Sequence, residues 1–329
     1  MSVTSTFSLD CLRIDPAATT AQIESAIREM VFGKLRRKGA VVALSGGVDS
    51  SVVAVLCSRA LGNDRVLGLM LPSAASSPDS LRLAELHASR IGIRTQFEDL
   101  HPILTAAGCY QRAAGAIRKV MPDYQDNLKY KIVLPDLLEH ATYPIFSVVV
   151  QLPDGSQKKC RLTYDAYLSI LAAMNFKQRT RKMMEYYYAD LLTYAVVGTP
   201  NRLEYDLGFF VKNGDGAADL KPIAHLYKSQ VYQLAAHLDV PEEIQKRTPT
   251  TDTYPLEQSQ EEFYFALPLE KMDFCLYGKN HGISPASLAP ELGMKEEQVK
   301  RVYDSIESKR RAARYLHAAP ILVEPLDGI

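Results

Sequence analysis

One short segment, residues 44 to 51, constrains this chain more than any other. It reads Leu-Ser-Gly-Gly-Val-Asp-Ser-Ser, follows the apolar run 40 to 43 and precedes a helical pattern. Paired glycines let a backbone turn tightly and approach a ligand, and the start of a helix offers unpaired N–H groups to an anion. The segment therefore predicts a phosphate-binding loop, with ATP as the first ligand to test. Composition alone leaves open a plain Gly-Gly turn with a Ser or Asp helix cap.

The pattern around this loop alternates between strands and helices. The predicted elements are a helix over 18 to 37, a strand at 40 to 44, a helix from the loop to 61, a strand at 66 to 71, a helix at 77 to 90 and a strand at 93 to 97. Such alternation indicates an α/β fold, a parallel sheet with helices on both faces. Ligands of these sheets bind beyond the carboxyl ends of the strands, where the loop lies.

Composition excludes several other classes of protein. Lys plus Arg and Asp plus Glu number 38 each, so no basic field favours nucleic acid as a partner. The five cysteines are scattered without a Cys-x-x-Cys pair, which disfavours a zinc site, a disulfide framework and sulfur-relay chemistry. The amino terminus carries no secretory pattern, and no apolar run reaches membrane-spanning length. We therefore expect a cytoplasmic protein without a membrane partner.

The chain changes character between residues 118 and 172. Two β-type runs, 143 to 152 and 158 to 164, flank Pro-Asp-Gly-Ser at 153 to 156, a strong signal for a β-hairpin. This predicts a two-stranded ribbon inserted into an α/β domain of residues 1–255, followed by a helical segment, 256–329, packed on the core. The ribbon is interpreted as ornament, as a dimer arm or as a substrate lid.

The densest chemistry follows between residues 175 and 252. Arg179 and Arg181 are predicted at the start of a helix, where cations oppose the helix dipole and suit an anionic ligand better. A strand ends at Gly198-Thr199, and Glu204 follows in a turn. Residues 208 to 222 interleave glycines with aspartates and lysines, a polar composition typical of a ligand-binding loop.

These motifs together resemble one enzyme family. Ser-Gly-Gly-Val-Asp-Ser resembles the loop of the ATP pyrophosphatase (PP-loop) families, which cleave ATP between the α and β phosphates. The downstream blocks, above all Gly214-Asp215-Gly216-Ala217-Ala218-Asp219 and Pro249-Thr250-Thr251-Asp252, narrow the resemblance to the ammonia-dependent NAD synthetases. The resemblance implies an adenine nucleotide alpha hydrolase-like, Rossmann-like fold. It also implies an amide ligase that adenylates the carboxylate of nicotinic acid adenine dinucleotide, transfers ammonia to it and releases AMP and pyrophosphate.

The resemblance also implies the functional residues. For ATP they are Ser45, Gly46, Gly47, Asp49, Ser50, Ser51, Arg179, Tyr186, Thr199, Lys228 and Thr250. For the dinucleotide they are Arg179, Lys212, Asp215 and Asp219. Asp49 and Glu204 match positions for Mg²⁺, which prefers carboxylate and phosphate oxygens. Lys228 is expected to hold the phosphates during attack, and Asp215 to accept the proton that ammonium must lose.

Several departures from the family pattern keep alternatives open. The usual His-Lys-Arg near the end is Ser308-Lys309-Arg310, the segment 260 to 273 is altered, and the ribbon is atypical. They motivate a second reading, an amide-forming relative acting on another carboxylate such as a sugar acid. A third is a PP-loop RNA-modifying or nucleotide-binding protein. The resemblance suggests a homodimer that uses free ammonia, and a separate glutaminase subunit stays open as the nitrogen source.

Overall fold

A parallel sheet organises the chain, of which a computed structural model describes residues 8–133, 146–250, 254–324 and 326. The strands are β1 (Ala40–Ala43), β2 (Val66–Met70), β3 (Arg94–Phe97), β4 (Tyr130–Val133), β5 (Ser147–Gln151), β6 (Gln157–Arg161) and β7 (Ala195–Val197). Strands β1, β2, β3 and β7 are parallel and lie in the order β3-β2-β1-β7. The carboxyl ends of β1 and β7 therefore lie side by side.

Helices cover both faces of this sheet. They are α1 (Pro16–Arg28), α2 (Val48–Leu61), α3 (Pro78–Ile91), α4 (His101–Ala106), α5 (Cys109–Arg118), α6 (Tyr164–Leu192), α7 (Arg202–Leu207), α8 (Lys228–His237), α9 (Glu242–Lys246), α10 (Leu269–Asn280), α11 (Pro285–Leu288) and α12 (Glu296–His317). Side chains alternate along a strand, so Val42 joins a core with α1, α2 and α8, whereas Val41 joins a core with α5 and α6. The predicted α/β fold is confirmed.

Helix α6 differs from its prediction. The helix begins at Tyr164, with the Thr163 hydroxyl accepting a hydrogen bond from Ala166 N at 3.2 Å, and it runs for 29 residues. Arg179 and Arg181 therefore lie in its middle, and the prediction that they stand at a helix start was wrong. The helix start was misplaced because the first three turns of α6 follow directly on β6, and the prediction assigned them to the ribbon.

The predicted hairpin is present, but it belongs to a larger sheet. Strands β5 and β6 pair antiparallel around the turn at Gly155, and β4 pairs with β5 on the other side. The two-stranded ribbon is thus corrected to a three-stranded sheet, and residues 143 to 145 of the predicted strand lie outside the described residues. Val148 and Val150 are fully buried with α5 and α6. This contact supports the hairpin, which is marginally stable alone.

The carboxyl-terminal part is helical, as predicted. Helices α10, α11 and α12 share a core with α7, in which Leu203 and Leu207 pack with Val299, Val302 and Ile306. This packing sets α12 beside α7, which follows β7 in the chain. Every helix in the described part of the chain is too short or too polar to cross a lipid bilayer.

Candidate active site

The loop between β1 and α2 has the backbone that the sequence predicts. Gly46 has a φ of +71°, and a Cβ there would lie 2.3 Å from the carbonyl oxygen of Ser80, so only glycine fits. The hydroxyls of Ser50 and Ser51 donate to the Gly47 carbonyl at 3.0 and 2.9 Å. Within the described residues no side chain caps the start of α2. Its first N–H groups are therefore left for an anionic ligand.

Four side chains from three elements meet beside this loop, and we call them the Asp49 cluster: Asp49, Asn201, Glu204 and Lys228. The Lys228 ammonium pairs with Asp49 Oδ2, and Asn201 Nδ2 donates to Asp49 Oδ1 at 3.1 Å. Asn201 also forms a capping box with Glu204 at the start of α7, with bonds of 3.1 and 3.2 Å. Asn201 thereby joins the two carboxylates, and Glu204 lies in the first helical turn rather than in the predicted turn.

With both of its carboxyl groups ionised, the Asp49 cluster would hold more negative charge than its one lysine balances. Burial, followed by the Asp49 carboxylate, raises the pKa of Glu204 to about 8, against the opposing effect of Lys228. Burial lowers the pKa of Lys228, but Asp49 and Glu204 together outweigh burial and leave that pKa above its ordinary value. Lys228 therefore stays charged, and the cluster favours a further cation.

Lys228 is fixed through its main chain as well. Asp273 on α10 accepts hydrogen bonds from Lys228 N at 3.1 Å and from Ser229 N at 2.7 Å, at the start of α8. The Asp273 side chain is completely buried, and burial raises its pKa to about 6. This carboxylate comes from the segment that departs from the family pattern, so the altered segment supports the site.

A cavity of about 1440 Å³ opens at the carboxyl ends of β1 and β7. The predicted residues that line it are Ser45, Gly47, Asp49, Ser50, Arg179, Thr199, Glu204, Lys212, Asp215, Lys228 and Thr250. The predicted residues that do not line it are Gly46, Ser51, Tyr186 and Asp219. Drug-sized ligands occupy about 300–1,000 Å³, so this cavity has room for two ligands.

Two of the predicted residues outside the lining form a structural contact instead. The Tyr186 hydroxyl donates to Asp219 Oδ1 at 3.2 Å, and Asp219 Oδ2 accepts from Val196 N in β7 at 2.8 Å. Asp219 thus anchors residues 208 to 222, which we call the polar loop, to the sheet. Binding of ligands by these two residues stays a prediction. Residues 251 and 252 of the matched Thr-Asp motif lie outside the described residues.

The polar loop also contacts α6 and α12. Arg179 Nε donates to the Lys212 carbonyl at 3.2 Å, and Lys212 Nζ donates to the carbonyls of Tyr315 and Ala318, each at 2.8 Å. Lys212 therefore satisfies carbonyls at the end of α12. Its predicted part in substrate binding is left as a prediction.

An ion pair that the sequence analysis missed lies on the α6 wall of the cavity. Lys182 Nζ lies 2.6 Å from Glu185 Oε2, with both side chains 6% exposed, and we call these two residues the α6 ion pair. Asp215 is close by and accepts a hydrogen bond from Val211 N at 2.8 Å. Burial raises the pKa values of both Glu185 and Asp215. Correct placement of the helix start would have put residues 182 and 185 on the inner face, one turn apart.

Three further polar residues of the cavity wall were not predicted as site residues. Arg247 Nη2 donates to Ser80 Oγ at 2.7 Å beside the loop, and Gln260 Nε2 donates to Glu204 Oε1 at 3.0 Å. Lys309 Nζ donates to the Tyr264 carbonyl at 2.7 Å, and burial lowers its pKa to about 8. They come from distant segments, so only the folded chain brings them together.

Comparisons with known proteins identify the family of the chain. The sequence profile of the family described as NAD synthase matches residues 19–134 and 138–313. Two proteins called NH(3)-dependent NAD(+) synthetase are similar along their length. That of Mesorhizobium japonicum is 56% identical over 94% of this chain and 98% of its own, and that of Rhizobium meliloti is 54% identical over 98% and 96%.

Solved structures share the fold. An NMN synthetase from Francisella tularensis has a TM-score of 0.64 at 20% identity, over 94% of this chain and 98% of its own. An NH3-dependent NAD synthetase from Campylobacter jejuni has a TM-score of 0.62 at 22% identity, over 95% and 100%. The profile match, together with the loop at Gly46 and the Asp49 cluster beside it, shows that the chain belongs to the NAD synthase family.

Proposed function

We propose that this protein is an ammonia-dependent NAD synthetase, an ATP-dependent ligase that converts the carboxylate of nicotinic acid adenine dinucleotide into the amide. The observation that carries the proposal is the Asp49 cluster beside the uncapped start of α2, in a cavity with room for two ligands. Relatives at 54 and 56% identity carry the name of this activity. They favour this substrate over a sugar acid.

The chemistry requires activation because oxide is a poor leaving group. A carboxylate oxygen attacks the α phosphorus of ATP, which forms an acyl adenylate and breaks the bond to pyrophosphate. Ammonia then attacks the acyl carbon, and AMP leaves. Lys228 and the free N–H groups of α2 are placed to stabilise the charge that develops on pyrophosphate. Ser45 and Ser50, whose hydroxyls lie 3.1 Å apart, border the same space.

Mg²⁺ fits the donor set of the Asp49 cluster. Within the described residues, no three His, Cys, Asp or Glu side chains converge as a complete metal site. Mg²⁺ in nucleotide enzymes needs only one or two carboxylates, with phosphates and waters completing its shell. Asp49 and Glu204 would hold the ion. Burial, and after it the Asp49 carboxylate, raises the pKa of Glu204, and a bound cation would favour the ionised form. Bound there, Mg²⁺ would neutralise phosphate charge.

Asp215 suits the role of proton acceptor for ammonium. It lines the cavity, and burial raises the pKa of its carboxyl, which makes the carboxylate a better base. The hydrogen bond from Val211 N at 2.8 Å holds this carboxylate in the cavity wall. Asp215→Asn is expected to slow amide formation more than adenylation, measured as AMP released with and without ammonium.

Helix α6 carries the surface for the proposed homodimer. Its outer side exposes large apolar residues whose side chains are between 40 and 64% accessible: Leu168, Phe176, Met183, Tyr187 and Leu191. An apolar patch of this length on one helix marks a protein interface. Met183→Glu and Tyr187→Glu are expected to yield monomers in analytical ultracentrifugation. A control variant, Glu270→Gln at an exposed position of α10, is expected to keep the wild-type mass, and monomeric wild-type protein would contradict the dimer.

One assay tests the activity directly. The purified protein is incubated with ATP, Mg²⁺, ammonium and the deamidated dinucleotide, and NAD and AMP are followed together. Equal amounts of both are expected. Nicotinic acid mononucleotide serves as the competing substrate, and a preference for it would overturn the dinucleotide assignment. AMP without any amide product would reject amide formation and retain the activation step.

A further inference from the structure

The α6 ion pair has no part in the steps described so far, although both of its residues line the cavity. Lys182 and Glu185 are three residues apart on α6, with 2.6 Å between Nζ and Oε2. Both side chains are 6% exposed, so the pair is buried. Either stability or ligand binding must explain why this ion pair is buried on the cavity wall.

Stability does not explain the pair. A buried ion pair loses the hydration of both ions, and replacing such a pair by apolar residues of similar size is often neutral or stabilising. A buried pair on the wall of a ligand cavity is therefore more readily explained by what it binds. The i,i+3 spacing also keeps the pair on one helix, so it joins no second element to the core.

The hydrogen-bonding capacity of Lys182 points to a ligand. An ammonium group has three N–H donors. Within the described residues, Lys182 Nζ has one hydrogen-bond acceptor, the carboxylate of Glu185. A buried donor without an acceptor is unfavourable, and this one borders open cavity. An anionic group in the cavity would satisfy it.

Contacts of the polar loop show at which end of the cavity the α6 ion pair lies. The polar loop approaches the same stretch of α6 at Gly214, where a Cβ would lie 2.9 Å from Gln178 Cβ. Burial raises the pKa of Asp215, and the nearby Lys182 charge acts against that rise. The phosphate-binding groups belong to the Asp49 cluster and the start of α2. The α6 ion pair thus lies with the loop assigned to the second substrate.

We propose that Lys182 is a binding residue for an anionic group of the carboxylate-bearing dinucleotide, and that Glu185 is the positioning residue that holds its ammonium in place. The inference rests on the proposed function, because it assigns the second substrate to this end of the cavity. Lys182 contributes affinity for the dinucleotide, and ATP is held elsewhere.

The test replaces both charges together, so that neither is left buried alone. The double variant Lys182→Met/Glu185→Leu is expected to fold with at least wild-type thermal stability. Its KM for the dinucleotide is expected to rise about tenfold or more, the effect of losing a charged hydrogen bond. Its KM for ATP is expected to stay within about twofold. Glu185→Gln, which keeps the ammonium, is expected to raise the dinucleotide KM less than the double variant.

The matched control removes a surface pair of the same charges, Glu29→Leu/Lys34→Met, whose side chains are 68 and 69% exposed. It is expected to leave both KM values unchanged. A stable double variant with both KM values at the wild-type level, or with both raised equally, would overturn the inference but not the proposed function. Wild-type enzyme that forms no NAD would overturn the proposed function and the inference with it.

Discussion

The Asp49 cluster and the α6 ion pair lie in one cavity but are built differently. The Asp49 cluster joins α2, α8 and the start of α7 through side chains, with Asp273 fixing the main chain of Lys228. The α6 ion pair is closed within one helix. In a network that joins several elements, the effects of single substitutions on stability are not additive. The two residues of a local pair can be replaced together without disturbing other elements. Single and paired substitutions should therefore separate the two.

The largest expected effect on stability concerns the α6 ion pair. Glu185→Leu alone leaves the Lys182 ammonium buried without its partner, so we expect a loss of about 3–5 kcal/mol in the free energy of unfolding. Adding Lys182→Met is expected to restore most of that loss. Urea denaturation of the single and double variants measures both values. Equal destabilisation in the two variants would show that the pair is coupled to other groups, like the Asp49 cluster.

Asp49→Asn is expected to have the largest effect on activity. The amide keeps the shape of the side chain but removes the charge that pairs with Lys228 and suits Mg²⁺. We expect adenylation to fall roughly 10²–10³-fold, as for loss of one electrostatic contact to a transition state. Pyrophosphate release measures the effect, with circular dichroism to verify the fold. Near-normal release would remove Asp49 from the metal and phosphate site.

The difference between the two regions also explains what the sequence could predict. The loop at Gly46 was predictable because its tight backbone and uncapped helix depend on neighbouring residues. Glu204 was found through the spacing of family motifs. Lys182 and Glu185 were missed because the start of α6 was predicted near residue 175, and only Arg179 and Arg181 were assigned to an anionic ligand there.

Non-local pairing limited the prediction in other regions. Strand β4 has four residues and owes its place to β5, whose paired residues lie 14 to 20 positions further along the chain. Arg247 and Gln260 reach the cavity from the ends of short helices, Arg247 after α9 and Gln260 before the helical turn Glu261–Phe265, without a glycine signature. Such contacts depend on the packed chain as a whole.

A smaller effect is expected at Asn201, which joins the two carboxylates of the Asp49 cluster. Asn201→Ala removes a helix cap, and caps contribute about 0.5–2 kcal/mol to stability. It also frees Asp49 Oδ1 from its 3.1 Å hydrogen bond. Asn201→Ser keeps a capping hydroxyl but loses the amide. We therefore expect the serine variant to recover thermal stability without recovering the adenylation rate. Recovery of both would show that Asn201 acts only as a cap.

The last expected effect is gradual and concerns the pH dependence of stability. The pKa of Glu204 is about 8 in the folded chain, against an ordinary value of 4.5. The folded state therefore binds more protons between these pH values, and its stability falls as pH rises, by at most about 1.4 kcal/mol per pH unit. Glu204→Gln keeps the capping box and removes this titration. We expect the variant to gain stability over wild type from pH 5 to pH 8 in urea denaturation. If the free energies of unfolding of wild type and variant change with pH in parallel, the titrating group is not Glu204.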